Sequence, residues 1–250
     1  MTRRQLNSSV IRYQLHPDVV WIARPDGSAC LMHMNANVCA IDAEAAALLT
    51  SIIEVGSEHS ASDLAARYVI DKAEARGQVQ DFITDLHKQR LIQPLQQRKF
   101  SRENARDLAA RALVPVVIRL LKILRPRNKV KGLLWTARWA VLQFGWATAV
   151  RAWEHVYPQP ALGSTTAVGM LEAIDHEVRQ ATSRSLIGLD CKERSLVSLA
   201  LVRESGIAAQ LVVGFAHDPM QGHVWVEAAG QVVGDDPEHP LSFEPVVRYG

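Results

Sequence analysis

The chain has 250 residues, of which 48% are hydrophobic and 22% charged, a balance that suits a soluble protein with a buried core and room for one large or two small domains. A formal net charge of +2 gives no global field for nucleic acid. The odd set of cysteines, Cys30, Cys39 and Cys191, and the lack of an apolar run after the basic start MTRRQLNSSVIRYQ argue against a secreted disulfide framework. They point to free thiols in a reducing, cytoplasmic setting.

Along the chain, VVWIARP (19–25), SACLMHM (28–34) and NVCAID (37–42) read as strands, the first closed by the turn signal Pro25-Asp26-Gly27. The period then changes to helical. Asp42 caps a helix that stops at Gly56, and Ser60, with Asp63 three residues on, is expected to cap a second. A third helix over about Lys72 to Arg90 places Val79, Phe82, Ile83 and Leu86 on one face. Residues 8–95 are therefore expected to form a domain of three strands and three helices. Residues 96–165 form a basic helical block. Arg98, Lys99, Arg102, Arg106, Arg111, Arg119, Lys122, Arg125, Arg127, Lys129, Lys131 and Arg138 are opposed only by Glu103 and Asp107. Within it, Leu133 to Val150 is apolar enough to raise a membrane span. Arg138 near its middle argues for a buried or peripheral helix, and membrane association is not expected. Trp135, Trp139, Leu142, Trp146, Val150 and Trp153 fall at helical spacing and are read as a packed face. Pro158-Gln-Pro160 and Gly163 to Thr166 punctuate the chain before a helix over about Thr166 to Ser183.

Residues 166–250 carry the chemistry. In LDCKERSLVSLALVRESG, Asp190 is a natural cap and Gly206 a stop, which puts Cys191 in the first turn of an apolar helix. Unsatisfied N–H groups and the positive helix end favour a thiolate there, and the Cys191 N–H is a candidate oxyanion donor. IAAQLVVGF (207–215) is a strand, His217 to Gly222 a loop, and alternation puts His223, Trp225 and Glu227 on one strand face. His223 and Asp235, 12 residues apart on the arms of a hairpin, complete a thiol, base and carboxylate set, with Asp236 a competing acid. Cys30, His33 and Cys39 lack a fourth partner and fit no common zinc pattern, so no metal ligand is assigned. No Walker-type loop is present, and no cofactor is evident.

The run from Leu189 to Pro237 resembles the transglutaminase-like cysteine protease of lasso-peptide biosynthesis, the lasso B protein family. The features shared are Cys191 opening a helix, Gly206-Ile207-Ala208-Ala209, Leu211-Val212-Val213-Gly214, His223-Val224-Trp225-Val226-Glu227, and Gly230 through Asp235. Gly234 stands where that family often has Asn. The resemblance implies an α+β protein whose C-terminal domain, papain-like in type, packs a helix on an antiparallel sheet. Cys191 would be the nucleophile, His223 the base and Asp235 its orienter, in a leader peptidase that matures a ribosomally made, modified peptide of antibiotic type. The N-terminal block is similar, in element order, to the winged-helix-like peptide-recognition element of such pathways. There a precursor's leader adds as a strand, implicating Val38, Cys39, Ala40 and Ile41 with Val79, Phe82, Ile83 and Leu86. The implied partners are the precursor peptide and an ATP-dependent macrolactam synthetase, through which any ATP dependence would enter. The same triad would also suit an amine-accepting transglutaminase or amidase. A non-catalytic peptide-binding escort is the reading outside enzymology.

Overall fold

The structure, a computed structural model, describes residues 12–95, 102–124, 129–160, 168–185 and 188–250. The expected linker at 163–166, the first residues of the helix expected from Thr166, and Arg98, Lys99, Arg125 and Arg127 of the basic block lie outside them. The chain divides into two compact units, 1–99 and 100–250.

In the first unit, β1 (Tyr13–Leu15), β2 (Val19–Ala23), β3 (Ala29–His33) and β4 (Val38–Ile41) precede α1 (Ala43–Glu54), α2 (Ser57–Tyr68), α3 (Lys72–Lys88) and β5 (Ile92–Pro94). β2, β3 and β4 form an antiparallel sheet in that order, and β1 and β5 pair as a separate ribbon. Asp42 caps α1 through the Ala45 N–H, and Asp71 caps α3 through the Ala73 N–H. The expected capping role of Ser60 is corrected. α2 begins three residues earlier, and Ser60 is buried inside it. Its hydroxyl bonds the Gly56 carbonyl at 3.0 Å and lies 2.8 Å from the Ser51 hydroxyl. A serine followed by an acid mimics a capping box, but its hydroxyl can equally bond the preceding turn. β3 is buried along its length, and Leu31 joins Leu49, Ile52, Ala61, Val79, Ile83, Leu86, Leu91 and Ile92 in one core.

The second unit opens with α4 (Arg102–Leu124), α5 (Lys129–Phe144) and α6 (Trp146–Val156), followed by α7 (Val168–Ser183) and α8 (Cys191–Glu204). The apolar run read as one segment is two helices, divided at Gly145. Among the described residues no helix is long and apolar enough to cross a membrane. The tryptophan stripe divides with it: Trp146 and Trp153 are fully buried, while Trp135 remains 58% exposed. The basic block is not left unopposed in the fold. Asp107 pairs with Arg111 and Arg151, Lys129 reaches Glu204, and Arg138 lies 3.8 Å from Glu193.

After α8 come β6 (Ala209–His217), β7 (Met220–Ala228), β8 (Gln231–Val233), a 3-10 turn at His239–Ser242, and β9 (Glu244–Tyr249). The antiparallel sheet has the order β8-β7-β6-β9. The expected loop from His217 to Gly222 is instead a tight hairpin, with His217 paired to Met220. α8 is the central helix, buried through Leu196, Val197, Leu199, Ala200 and Val202, and it packs on β6 and β7 beneath α5 and α7. Its far end is fixed by Arg203, which donates to the carbonyls of Tyr157 and Ala209.

Candidate active site

α8 starts where the sequence says it should. The Asp190 side chain accepts N–H groups of the first turn, and Glu193 bonds back to the Asp190 N–H at 2.7 Å, a complete capping box. Cys191 is thereby the first helical residue. The first half of α8 then lies along β7 beyond the end of β8. The Ser195 hydroxyl donates to the Val224 carbonyl at 2.8 Å. At this carbonyl, beyond the end of β8, β7 is held by the helix instead of a strand. Val224 follows His223, so the helix that starts at Cys191 is tied to β7 next to the imidazole.

His223 is buried, and its Nε2 is hydrogen-bonded to Asp235 Oδ2. That leaves Nδ1 as its basic nitrogen. Its ring stacks over Trp225 at 6.0 Å and is flanked by Phe243 at 5.0 Å and His239 at 4.3 Å. Trp225 donates its indole N–H to Glu227 at 2.9 Å. It lies so close over β6 that a Cβ on Gly214, the residue paired with His223, would come within 2.5 Å of the indole. The glycine of the Leu-Val-x-Gly strand is what lets the indole floor the imidazole.

Asp235 follows β8 through Gly234, whose φ of +82° and surroundings admit no side chain: a Cβ there would lie 2.0 Å from Ser198 Oγ. The Gly234 N–H donates to Asp175 at 2.8 Å, and Arg179 donates to the Asp235 carbonyl at 3.1 Å. Burial opposes ionisation of Asp235. The bond from His223, the Arg194 guanidinium at 3.5 Å and the Asp236 N–H outweigh it, holding the carboxyl below its usual range. Asp236 faces away and accepts the Glu238 N–H in a turn. Of the two acids left open by the sequence, Asp235 is the one on the imidazole. Asp175, Arg179, Arg194 and His239 are the neighbours that sequence reasoning missed. The i+3 spacing of Arg194 from Cys191 was the available signal for one of them.

Two expectations at Cys191 are corrected. Its N–H is not free for an oxyanion, because it donates to Asp190 Oδ1 at 2.9 Å. Nor does the helix start leave a thiolate. Burial first, then the Asp190 charge, push the thiol up to about 12, against the Val224 N–H and the Lys192 charge. In the first unit, Val79, Ile83 and Leu86 are core residues and present no surface to a peptide. The reason is that the apolar face of α3 closes its own domain. Phe82 is half-buried at a cavity of about 540 Å³ lined also by Leu48, Leu64 and Ile70. Val38, Cys39 and Ile41 are half-buried and Ala40 exposed on β4, which among the described residues pairs only with β3.

Two clusters bring possible metal-ligand atoms within 4.8 Å of one another: His223, Asp235 and His239, and His16, Asp18 and His33. In the second, both Nδ1 atoms accept backbone N–H groups, from Asp18 and from Asn35. Both Nδ1 atoms are thus engaged in turn hydrogen bonds.

The stretch 132–248 matches the family model described as the transglutaminase-like superfamily. It is a transglutaminase-like domain. The match begins inside α5, well ahead of α8. No curated protein and no solved structure matches the chain. Transglutaminase-like domains are typically cysteine proteases or acyltransferases, and the thiol, imidazole and carboxylate of this one lie within that domain. The nucleophile such chemistry needs is available at Cys191, a free thiol.

Proposed function

We propose that the chain is a leader peptidase of lasso-peptide biosynthesis, cutting a precursor by a Cys-His-Asp mechanism. The observation that carries the reading is an imidazole, His223, already oriented by Asp235 on the strand to which Ser195 ties the helix that starts at Cys191. His223 Nδ1 takes the thiol proton as sulfur attacks the carbonyl at the leader–core junction. The tetrahedral oxyanion collapses to a thioester, and the imidazolium gives the proton to the departing core amine. Water, deprotonated by the same nitrogen, then releases the leader as an acid and restores the thiol. Asp235 keeps the ring in the productive tautomer and stabilises its charge. His223, buried against Trp225, keeps bulk water from competing for the base.

The first unit is read as the winged-helix-like grip for the leader. Among the described residues β4, Val38 to Ile41, pairs only with β3, so its other edge offers backbone groups for strand addition, and Phe82 offers an apolar contact. The freed core amine passes to the macrolactam synthetase, where ATP would be consumed. Mass spectrometry of a precursor incubated with the protein tests this. A single cut that releases an intact leader, and is lost in Cys191→Ala, is expected. A precursor left uncut, even with synthetase and ATP, would defeat the peptidase reading in favour of an escort. Addition of an amine to the leader acid in place of water would mark an acyltransferase.

A further inference from the structure

A helix at the surface of a soluble unit is expected to be apolar where it meets the core and polar where it meets water. α4 departs from this. Ala110, Val114 and Ile118 are fully buried on the side that packs on α5 and α6. On its outer side Leu113, Val116, Leu120 and Ile123, at spacings of three and four, are between 48% and 75% exposed, and Leu108 is exposed as well. An apolar surface that runs along a helix in this way marks a face that something covers. Cations accompany it. Arg106 and Arg119 are exposed. Among the described side chains of α4 the one acid is Asp107, and it is taken up by Arg111 and by Arg151 of α6. On α5, Trp135 and Leu142 are exposed too, seven residues apart and so on one face. The two helices meet closely at Gly132, where a Cβ would lie 3.0 Å from Leu121. Trp135 therefore stands about one turn from that contact, at the Leu120 to Ile123 end of the stripe.

We propose that this face docks the protein on an anionic lipid surface, with α4 lying in the plane of the bilayer. Leu113, Val116, Leu120 and Ile123 enter the boundary between headgroups and acyl chains. Arg106 and Arg119 reach the phosphates along their aliphatic stems, and Trp135 suits the headgroup level. The composition favours lipid over a protein partner. A bilayer asks for aliphatic side chains and one sign of charge, with no shape to fit. A protein surface would ask for a rim of polar groups able to pair across it. The sequence set membrane contact aside because Arg138 interrupts the run from Leu133 to Val150, a bar to spanning and not to lying on a surface. The proposal goes beyond the peptidase reading and does not depend on it.

The test is sedimentation of the full chain with vesicles of phosphatidylcholine alone and of phosphatidylcholine with about one third phosphatidylglycerol, at low and at high salt. Binding to the anionic vesicles, weakened by salt, is expected, with little binding to the neutral ones. Leu120→Ser with Ile123→Ser, and separately Arg106→Gln with Arg119→Gln, are each expected to weaken it by about tenfold. Arg106→Lys with Arg119→Lys keeps the charge and should bind like wild type. All of these side chains are exposed, so the melting temperatures should stay at the wild-type value. No sedimentation with anionic vesicles overturns the proposal, and so does binding that neither pair of neutral substitutions weakens. Two other outcomes also overturn it. If the chain ignores vesicles and the serine pair turns a dimer into a monomer in analytical ultracentrifugation, the occupant is a second copy. If it ignores vesicles and binds the synthetase through the same residues, the occupant is that protein. Vesicle binding uses no precursor, so either result leaves leader cleavage to its own test.

Discussion

Asp235 shows how one side chain ties stability to catalysis. Its carboxyl is held below its usual range in the folded protein. The sign follows: its ionised form stabilises the fold at pH above about 4, and that contribution is lost as pH falls through the depressed folded value. Asp235→Asn is expected to cut turnover by about 10²–10⁴-fold at neutral pH, because an amide favours the wrong imidazole tautomer. Its melting temperature should fall below wild type at pH 7, with the gap closing toward pH 3. A gap that does not change with pH would show that the carboxylate is not preferentially ionised in the fold. His223 and Asp235 were legible in the sequence because strand alternation and a short hairpin fix both directions at once. The capture of the Cys191 N–H by Asp190 was not. The same residue type that caps a helix can also fold back on the first amide, and spacing does not distinguish the two.

At the level of elements, two helices were readable from their caps, at Asp42 and Asp190, and α3 from its apolar face. Those misplaced involve polar residues facing inward, such as Ser60, and strands whose partners are distant in sequence. β9 joins β6 across the whole hairpin, and β1 joins β5 across the whole first unit. No local period records such pairings. The apolar stripe of α3 was legible as a stripe but not as core, since periodicity shows that a face is covered and not what covers it. The turn between β8 and Asp235 makes its own prediction. Gly234→Ala should cost about 1–3 kcal/mol for its backbone conformation alone, and more for the overlap with Ser198. In urea unfolding, adding Ser198→Ala should return the overlap part and leave the backbone part. Full recovery would show that the left-handed turn is unstrained by a side chain.

On the scale of the whole chain, two compact units divide the proposed labour, with the sequence boundary near residue 99. The prediction is that residues 1–99 alone bind a fluorescent leader peptide about as tightly as the full chain. Residues 100–250 alone should keep the alkylation rate of Cys191 and lose leader binding in the same anisotropy assay. Leader binding by the second fragment would relocate recognition to the transglutaminase-like domain and remove the role proposed for β4. The basic block read in the sequence as nearly unopposed positive charge. In the fold Lys129 and Arg138 are matched by Glu204 and Glu193, acids of α8 that a local charge count misses.

The suppressed ionisation of Cys191 has a consequence outside the proposed catalytic cycle. Peroxide and disulfides react with sulfur chiefly as thiolate, so a nucleophile kept protonated between turnovers is shielded from sulfenic acid and mixed-disulfide formation. The resting protein would be redox-quiet at its most important atom. It would tolerate oxidative stress without a resolving cysteine beside it, and surveys that seek functional cysteines by their hyper-reactivity would pass it over.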